Sequence, residues 1–380
     1  MKQTSRIIST YSADVFGVCS ALFELGGMTI MHDASGCNST YTTHDEPRWY
    51  DMDSMVYISG LSEMEAIMGD DEKLIDDIVS AAEDLKPKFI AVAGTPIPTM
   101  TGFDFSAVAE IVKERTGIPA FGFATTGMNT YVHGVSMALE ALADNCVDRT
   151  SIKTSDKTAN ILGLTPLDFS VNGSDSAITK FLKDAGYRVV SKWAMGSSLE
   201  EIAQAGSAHV NLVVSSTGLA AAKKLQKLFG TPYVVGIPVG AELSDMLRKA
   251  LDEAVSTGEN KLPCSDMEGS DIVIIGESVT SLSLASALEL SLGKSARVIC
   301  TTECFEDVLR NKDTSCTWEE EIESEISGAA YIIADPLFKP ICPEGVKFIE
   351  LPSESFSGRI YREQIPNLVT DFTQFFSEVF

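Results

Sequence analysis

Cys19, His32, Cys37 and His44 fall close together near the start of the chain, and Asp45 and Arg48 follow directly. A thiolate ligates soft metals and iron–sulfur clusters, an imidazole titrates near neutral pH and can deliver protons, and a guanidinium holds a carboxylate through paired N–H groups. Residues 15–25, rich in small side chains, read as a turn feeding a short helix. The apolar run 28–31 fits a buried parallel strand that ends in the loop His32-Asp33-Ala34-Ser35-Gly36-Cys37. In an open α/β sheet the loops at the carboxyl ends of strands face the ligand crevice, which puts Cys37 where such folds keep their chemistry. Gly36 permits positive φ and a close backbone approach to a bulky inorganic group. The cysteines lack C-x-x-C spacing, and a free cysteine most often acts as a small buried hydrophobe, so residue types alone leave both readings open. The same holds for His44 and Arg48. They are either a proton donor and a carboxylate clamp or members of a polar loop closed by an internal Asp45–Arg48 pair. His32 reads equally as a strand-end residue bonded to backbone.

Alternating strands and helices must position these residues. After the site stretch, residues 70–85 carry Leu74, Ile75, Ile78, Val79, Ala82 and Leu85 at helical spacing, and a strand is expected over 89–93. A rigid loop with two prolines over 95–100, a helix over 106–115, a strand over 120–123 and a helix over 130–145 complete a first unit, residues 1–150. A polar linker over 146–158 leads to a second unit, 158–256, with strands at 160–164, 188–192, 210–215 and 233–237 and helices at 174–185, 198–204 and 219–229. A second linker, 256–269, precedes a third unit, 268–380. There the strands are expected at 271–276, 297–300 and 331–334, with helices at 281–292 and 317–327 and an amphipathic closing helix over 363–380. The fold class expected is α/β, three Rossmann-like domains with parallel sheets, wound in the right-handed sense.

Composition narrows the function. A chain of 380 residues is long enough for two or three cores, and its net charge of −25 argues against nucleic acid or an anionic membrane as partner while permitting a protein with a basic face. No apolar run approaches the roughly 18 residues of a membrane span, and residues 1–15 lack a signal-peptide core. Eight cysteines without a framework pattern point to reduced thiols and hence the cytoplasm. Gly276-Glu277-Ser278 follows a strand but is not G-x-G-x-x-G, and Glu277 would repel a pyrophosphate. Cys300 and Cys304 read as a strand end and a helix start. No hydrolase elbow, H-E-x-x-H or Walker A motif is present, so the chain carries no ATPase of its own.

The order of motifs adds what spacing cannot. Cys19 with Ala21-Leu22, the strand, and Gly36-Cys37 resemble the cluster-binding start of nitrogenase component 1 type oxidoreductases, the family of nitrogenase molybdenum–iron protein subunits and dark-operative protochlorophyllide reductases. The likeness continues through residues 65–74, 86–92, Asn160-Ile161-Leu162-Gly163, Phe229-Gly230-Thr231-Pro232-Tyr233, Ala334-Asp335-Pro336 and residues 351–359. It implies an electron-transferring reductase with a [4Fe–4S] cluster on Cys19 and Cys37, and Gly36 beside it. Pro96 stands where the family usually has a third cysteine. One chain then offers two thiolates where such a cluster wants four, so a cluster shared between two subunits, copies or paralogues, is expected. Residues 160–256 contain no cysteine and no histidine follows His209, which departs from subunits that hold the large nitrogenase cofactor and makes dinitrogen an unexpected substrate. The resemblance further implies an ATP-dependent nitrogenase-reductase-like iron protein as electron donor and a small-molecule substrate; residue chemistry makes His44 and Arg48 the catalytic candidates. The alternatives are a non-catalytic carrier of a metallocluster or tetrapyrrole and a metal-free ligand-binding protein of the same fold.

Overall fold

The computed structural model describes residues 6–8, 12–36, 38, 45–305, 308–377 and 379–380. Cys37 and His44 therefore lie outside the described residues. Three sheets follow one another along the chain. The first contains β1 (Met28–His32), β2 (Met55–Ile58), β3 (Ile90–Gly94) and β4 (Ala120–Phe123) in the order β2-β1-β3-β4. The second contains β5 (Thr158–Leu162), β6 (Arg188–Lys192), β7 (Val210–Val213) and β8 (Tyr233–Val235) in the order β6-β5-β7-β8. The third contains β9 (Ile272–Gly276), β10 (Ala296–Cys300), β11 (Thr314–Ser315), β12 (Tyr331–Ala334) and β13 (Lys347–Glu350) in the order β11-β10-β9-β12-β13.

Every strand pairing is parallel. Helices cover both faces of such a sheet, so its inner strands lose hydrophobic alternation. The runs Met-Thr-Ile-Met-His of β1 and Ile-Val-Ile-Ile-Gly of β9 are accordingly buried at every position. Helices instead keep one apolar stripe. In the helix Asp71–Leu85 it consists of Leu74, Ile75, Ile78 and Ala82.

Several expected elements take a different form. The expected proline loop over 95–100 is a short helix, Pro96–Thr101, because proline at a first turn needs no N–H and its φ already suits a helix. A separate helix, Glu63–Met68, precedes Asp71–Leu85; Ser62 and Glu65 form its capping box and Gly69 ends it in the left-handed region. The helix Ala241–Thr257 and the edge strands β2 and β13 were not anticipated. The first is a regular amphipathic helix burying Leu243, Leu247, Ala250, Leu251 and Ala254, whereas the strands are four residues each and too short for a period-2 signal. Cys300 ends β10 as expected, but Cys304 sits in a loop and starts no helix among the described residues.

The closing helix is shorter than expected, Leu368–Ser377, and buries Phe372 and Phe376 against the core. The positive φ expected at Gly36 falls on Ser35, at 67°.

The helix Asp14–Leu22, which carries Cys19, is clamped to the helix Tyr131–Asn145 by backbone contact. A Cβ at Gly134 would lie 1.8 Å from the Asp14 carbonyl oxygen, and one at Gly17 would lie 2.3 Å from that of Tyr131. Neither backbone can yield without parting the helices. Gly134→Ala is therefore expected to lower stability by about 3 kcal/mol in urea unfolding. Gly36→Ala, whose Cβ meets nothing within 4 Å, should stay within about 0.5 kcal/mol.

Candidate functional site

The strand order of the first sheet reverses at β1, so β1 and β3 diverge toward opposite halves of the sheet. Their carboxyl ends form the crevice where such sheets bind ligands. Asp33, the residue after β1, is buried there and stitches the edge together. Its Oδ1 accepts from Thr95 Oγ1 at 2.9 Å and its Oδ2 from Asn38 Nδ2 at 2.9 Å. Ser59, after β2, receives the Asp33 N–H at 3.1 Å and shares a 2.9 Å hydrogen bond with His32 Nδ1. His32 is thus bonded to a side chain and not to backbone as expected, and its ring packs 4.4 Å from that of Phe103. Burial lowers its pKa to about 4, against the opposing pull of Asp33 and Glu65.

Cys19 is fully buried. Burial, and then the neighbouring charge of Glu46, push its thiol well above the usual range. Desolvation beside a carboxylate disfavours the thiolate. Arg48 is also buried. Nε donates to Glu46 at 2.6 Å, Nη1 to Glu24 at 2.8 Å and to the Ala194 carbonyl at 3.0 Å, and Nη2 to the carbonyl and hydroxyl of Ser20 at 2.8 and 3.3 Å. These contacts use all five N–H groups. The guanidinium also sits 4.8 Å above the Phe23 ring. It has no donor left for a substrate carboxylate, and its ion pairs are with Glu46 and Glu24. The expected Asp45–Arg48 pair is absent; Asp45 lies 3.9 Å from Arg359.

Around this edge the surface is apolar. Met64, Ile67 and Met68 on the helix after β2, and Ile97 and Met100 on the helix after β3, are exposed, Met100 by 85%. The two helices touch. The turn carrying Gly127 packs on Pro96, which brings the 81% exposed Met128 into the same face. Gly36 is exposed as well. Methionines at this spacing were legible in the sequence, but nothing there showed that they face outward.

The three sheets, each wound about a switch point, define an α/β protein of several parallel sheets. The family model for nitrogenase component 1 type oxidoreductase matches residues 15–326, and the chain belongs to that family. It is 32% identical over 183 residues to the nitrogenase iron-molybdenum cofactor biosynthesis protein NifE of Clostridium pasteurianum, covering 47% of this chain and 38% of that protein. It is 23% identical over 261 residues to a subunit of the light-independent protochlorophyllide reductase of Nostoc punctiforme, covering 59% of this chain and 51% of that one. The chain thus spans about half the length, or less, of these relatives. A solved structure of nitrogenase Cp1 at pH 6.5 shares the fold over 100% of this chain and 94% of its own, with a TM-score of 0.73 and 16% identity. Among the described residues no helix is long and apolar enough to cross a membrane.

Two outcomes follow from this geometry. Arg48→Met strands Glu46 and Glu24, and is expected to lower stability by about 3–5 kcal/mol in urea unfolding. His32 is held neutral in the folded chain, so it takes up its proton only near pH 4, whereas the unfolded chain does so near 6.5. Stability is then full above about pH 6.5 and falls by on the order of 3 kcal/mol as pH drops toward 4. His32→Asn should flatten that stretch of the stability-against-pH curve.

Proposed function

We propose that the chain is a subunit of a nitrogenase-like reductase. It passes low-potential electrons through a [4Fe–4S] cluster shared by two chains to a small-molecule substrate other than dinitrogen. The observation that carries this reading is the exposed methionine and isoleucine face on the two touching helices that follow β2 and β3. Large exposed apolar patches mark sites that a partner covers.

The donor set fits a shared site. Two thiolates per chain, Cys19 and Cys37, become four across a two-fold axis, as such a cluster wants. Pro96 starts a helix and offers no ligand. Cys19, already desolvated, would yield its proton to the metal. When bound, the cluster would supply electrons singly at low potential.

In this reading residues 1–150 form the cluster-binding unit, and 158–256 and 268–380 enclose the substrate side. His44 delivers protons. Arg48, with every N–H engaged, positions Glu46 and the helix of Cys19 and does not touch substrate. Electrons arrive from a separate ATP-dependent, nitrogenase-reductase-like iron protein, since the chain has no Walker A motif.

A carrier of a metallocluster is the second reading. It is favoured by the likeness to NifE, a cofactor biosynthesis protein. Both readings place a cluster at Cys19 and Cys37, so iron and acid-labile sulfide on anaerobically purified protein test them together. About two irons per chain are expected, lost in Cys19→Ala. No iron after anaerobic reconstitution overturns both and leaves a metal-free binder. Substrate turnover with an iron protein and ATP then separates reductase from carrier.

A further inference from the structure

The segment Cys300-Thr301-Thr302-Glu303-Cys304 begins at the carboxyl end of β10 in the third sheet and reaches helices that belong with the other two. Glu303 accepts from the Thr130 N–H at 2.9 Å and from the Thr130 hydroxyl, at the start of the helix Tyr131–Asn145 that follows the first sheet. Next to Cys304, the Phe305 ring lies 4.3 Å from Nζ of Lys223, on the helix Leu219–Phe229 between β7 and β8. A movement of this segment is therefore felt in both places.

Its two thiols meet. Cys300 is closed off from solvent, and its sulfur lies within hydrogen-bonding reach of the Cys304 thiol, 3.5 Å from the Thr302 carbonyl oxygen and 3.7 Å from the Thr302 hydroxyl. A cysteine that only fills space packs on carbon, whereas this one is wrapped by polar atoms of its own loop and by a second sulfur. Cys316 is no rival partner. Its N–H donates to the Cys300 carbonyl at 2.9 Å, but it packs with Ile275 and Ile299, and Ile299, adjacent to Cys300 in β10, points to the other face of the sheet. Cys304 is only half-buried, so a reagent arriving from solvent meets it first.

We propose that Cys300 and Cys304 form a reversible dithiol–disulfide couple, closed by exchange with a low-molecular-weight disulfide such as oxidised glutathione. The Cys304 sulfur, giving up its proton, attacks one sulfur of the reagent, and the other sulfur takes a proton and leaves as a thiol. Cys300 then attacks the Cys304 sulfur of the mixed disulfide and passes its proton to the departing thiolate. Two electrons and two protons have moved from the pair to the reagent, which ends as two thiols. The hydrogen bond with Cys304, and then burial, keep the Cys300 sulfur protonated in the reduced chain, which fits it to resolve the mixed disulfide and not to start the exchange. A disulfide bond is only about 2 Å long, so closure draws Cys304 toward β10 and shifts its neighbour Glu303 off Thr130. The couple does not depend on the cluster reading, and the Cys19→Ala variant should retain it.

The test treats the reduced full chain anaerobically with oxidised glutathione, blocks the remaining thiols by alkylation and maps the peptides by mass spectrometry. Most chains are expected to carry a Cys300–Cys304 bond, seen as the loss of two hydrogens and reopened by dithiothreitol. The Thr130 amide should exchange its hydrogen about tenfold or more faster in the closed form. Cys300→Ser should keep glutathione on Cys304, and Cys304→Ser should leave Cys300 reacting about tenfold or more slowly than Cys304 does. The proposal is overturned if both thiols stay free, if glutathione stays on Cys304 of the unaltered chain, or if the bond forms and the Thr130 amide exchanges no faster. Bond and amide are both read on the unaltered chain, so the test remains decisive even where a variant fails to fold.

Discussion

A buried carboxylate directly after a strand is the constraint on which the rest of this structure depends. Asp33 follows β1, Glu277 follows β9 and Asp335 follows β12, and each of the three is almost closed off from solvent. A charge in such a place is tolerated only with its hydrogen bonds made, so each acid dictates the path of the loops beside it. Asp33 holds Thr95 and Asn38, Glu277 holds the start of its own helix and the turn after β7, and Asp335 gathers residues 337, 353 and 357. All three stand at reversals of strand order, where neighbouring loops diverge and nothing else would bridge them.

Arg48 extends the same logic between sheets. Its Nη1 reaches both Glu24 and the carbonyl of Ala194, and the other oxygen of Glu24 accepts the N–H of Gly196 at 2.6 Å. One guanidinium thereby fastens the segment before the first sheet to the bend after β6. A buried pair of this kind adds little net stability, but it holds each partner in one place, because separating them strands a charge. The Glu46 carboxylate, which lies against Cys19, is held by the same guanidinium.

Much of this was legible in the sequence. Continuous apolar runs such as 272–275 read as strands covered on both faces, and the helix expected over 219–229 has those bounds. What stayed hidden was pairing across long separations. Sequence put Arg48 beside Asp45, two positions from a rival, Glu46, and gave no sign of Glu24 or Ala194. It gave no sign of Asp168, whose partners Tyr131 and Glu277 are distant in the chain. The Glu46 carboxylate against Cys19 is likewise invisible in one dimension.

The two sites share one element. The helix Tyr131–Asn145 begins with Thr130 tied to Glu303, presents the Tyr131 hydroxyl to Asp168, and packs along its length on the helix that carries Cys19. Asp14, at the start of that partner helix, accepts from the N–H groups of Thr126 and Gly127 at 3.0 and 2.8 Å, so the two helices are joined at their first turns as well. With Gly17 and Gly134 bringing backbone against backbone, neither helix can slide without breaking the contact. A displacement of the Cys19 helix therefore reaches the Tyr131–Asp168 hydrogen bond as a rigid-body movement, since close-packed backbones transmit shifts and do not absorb them.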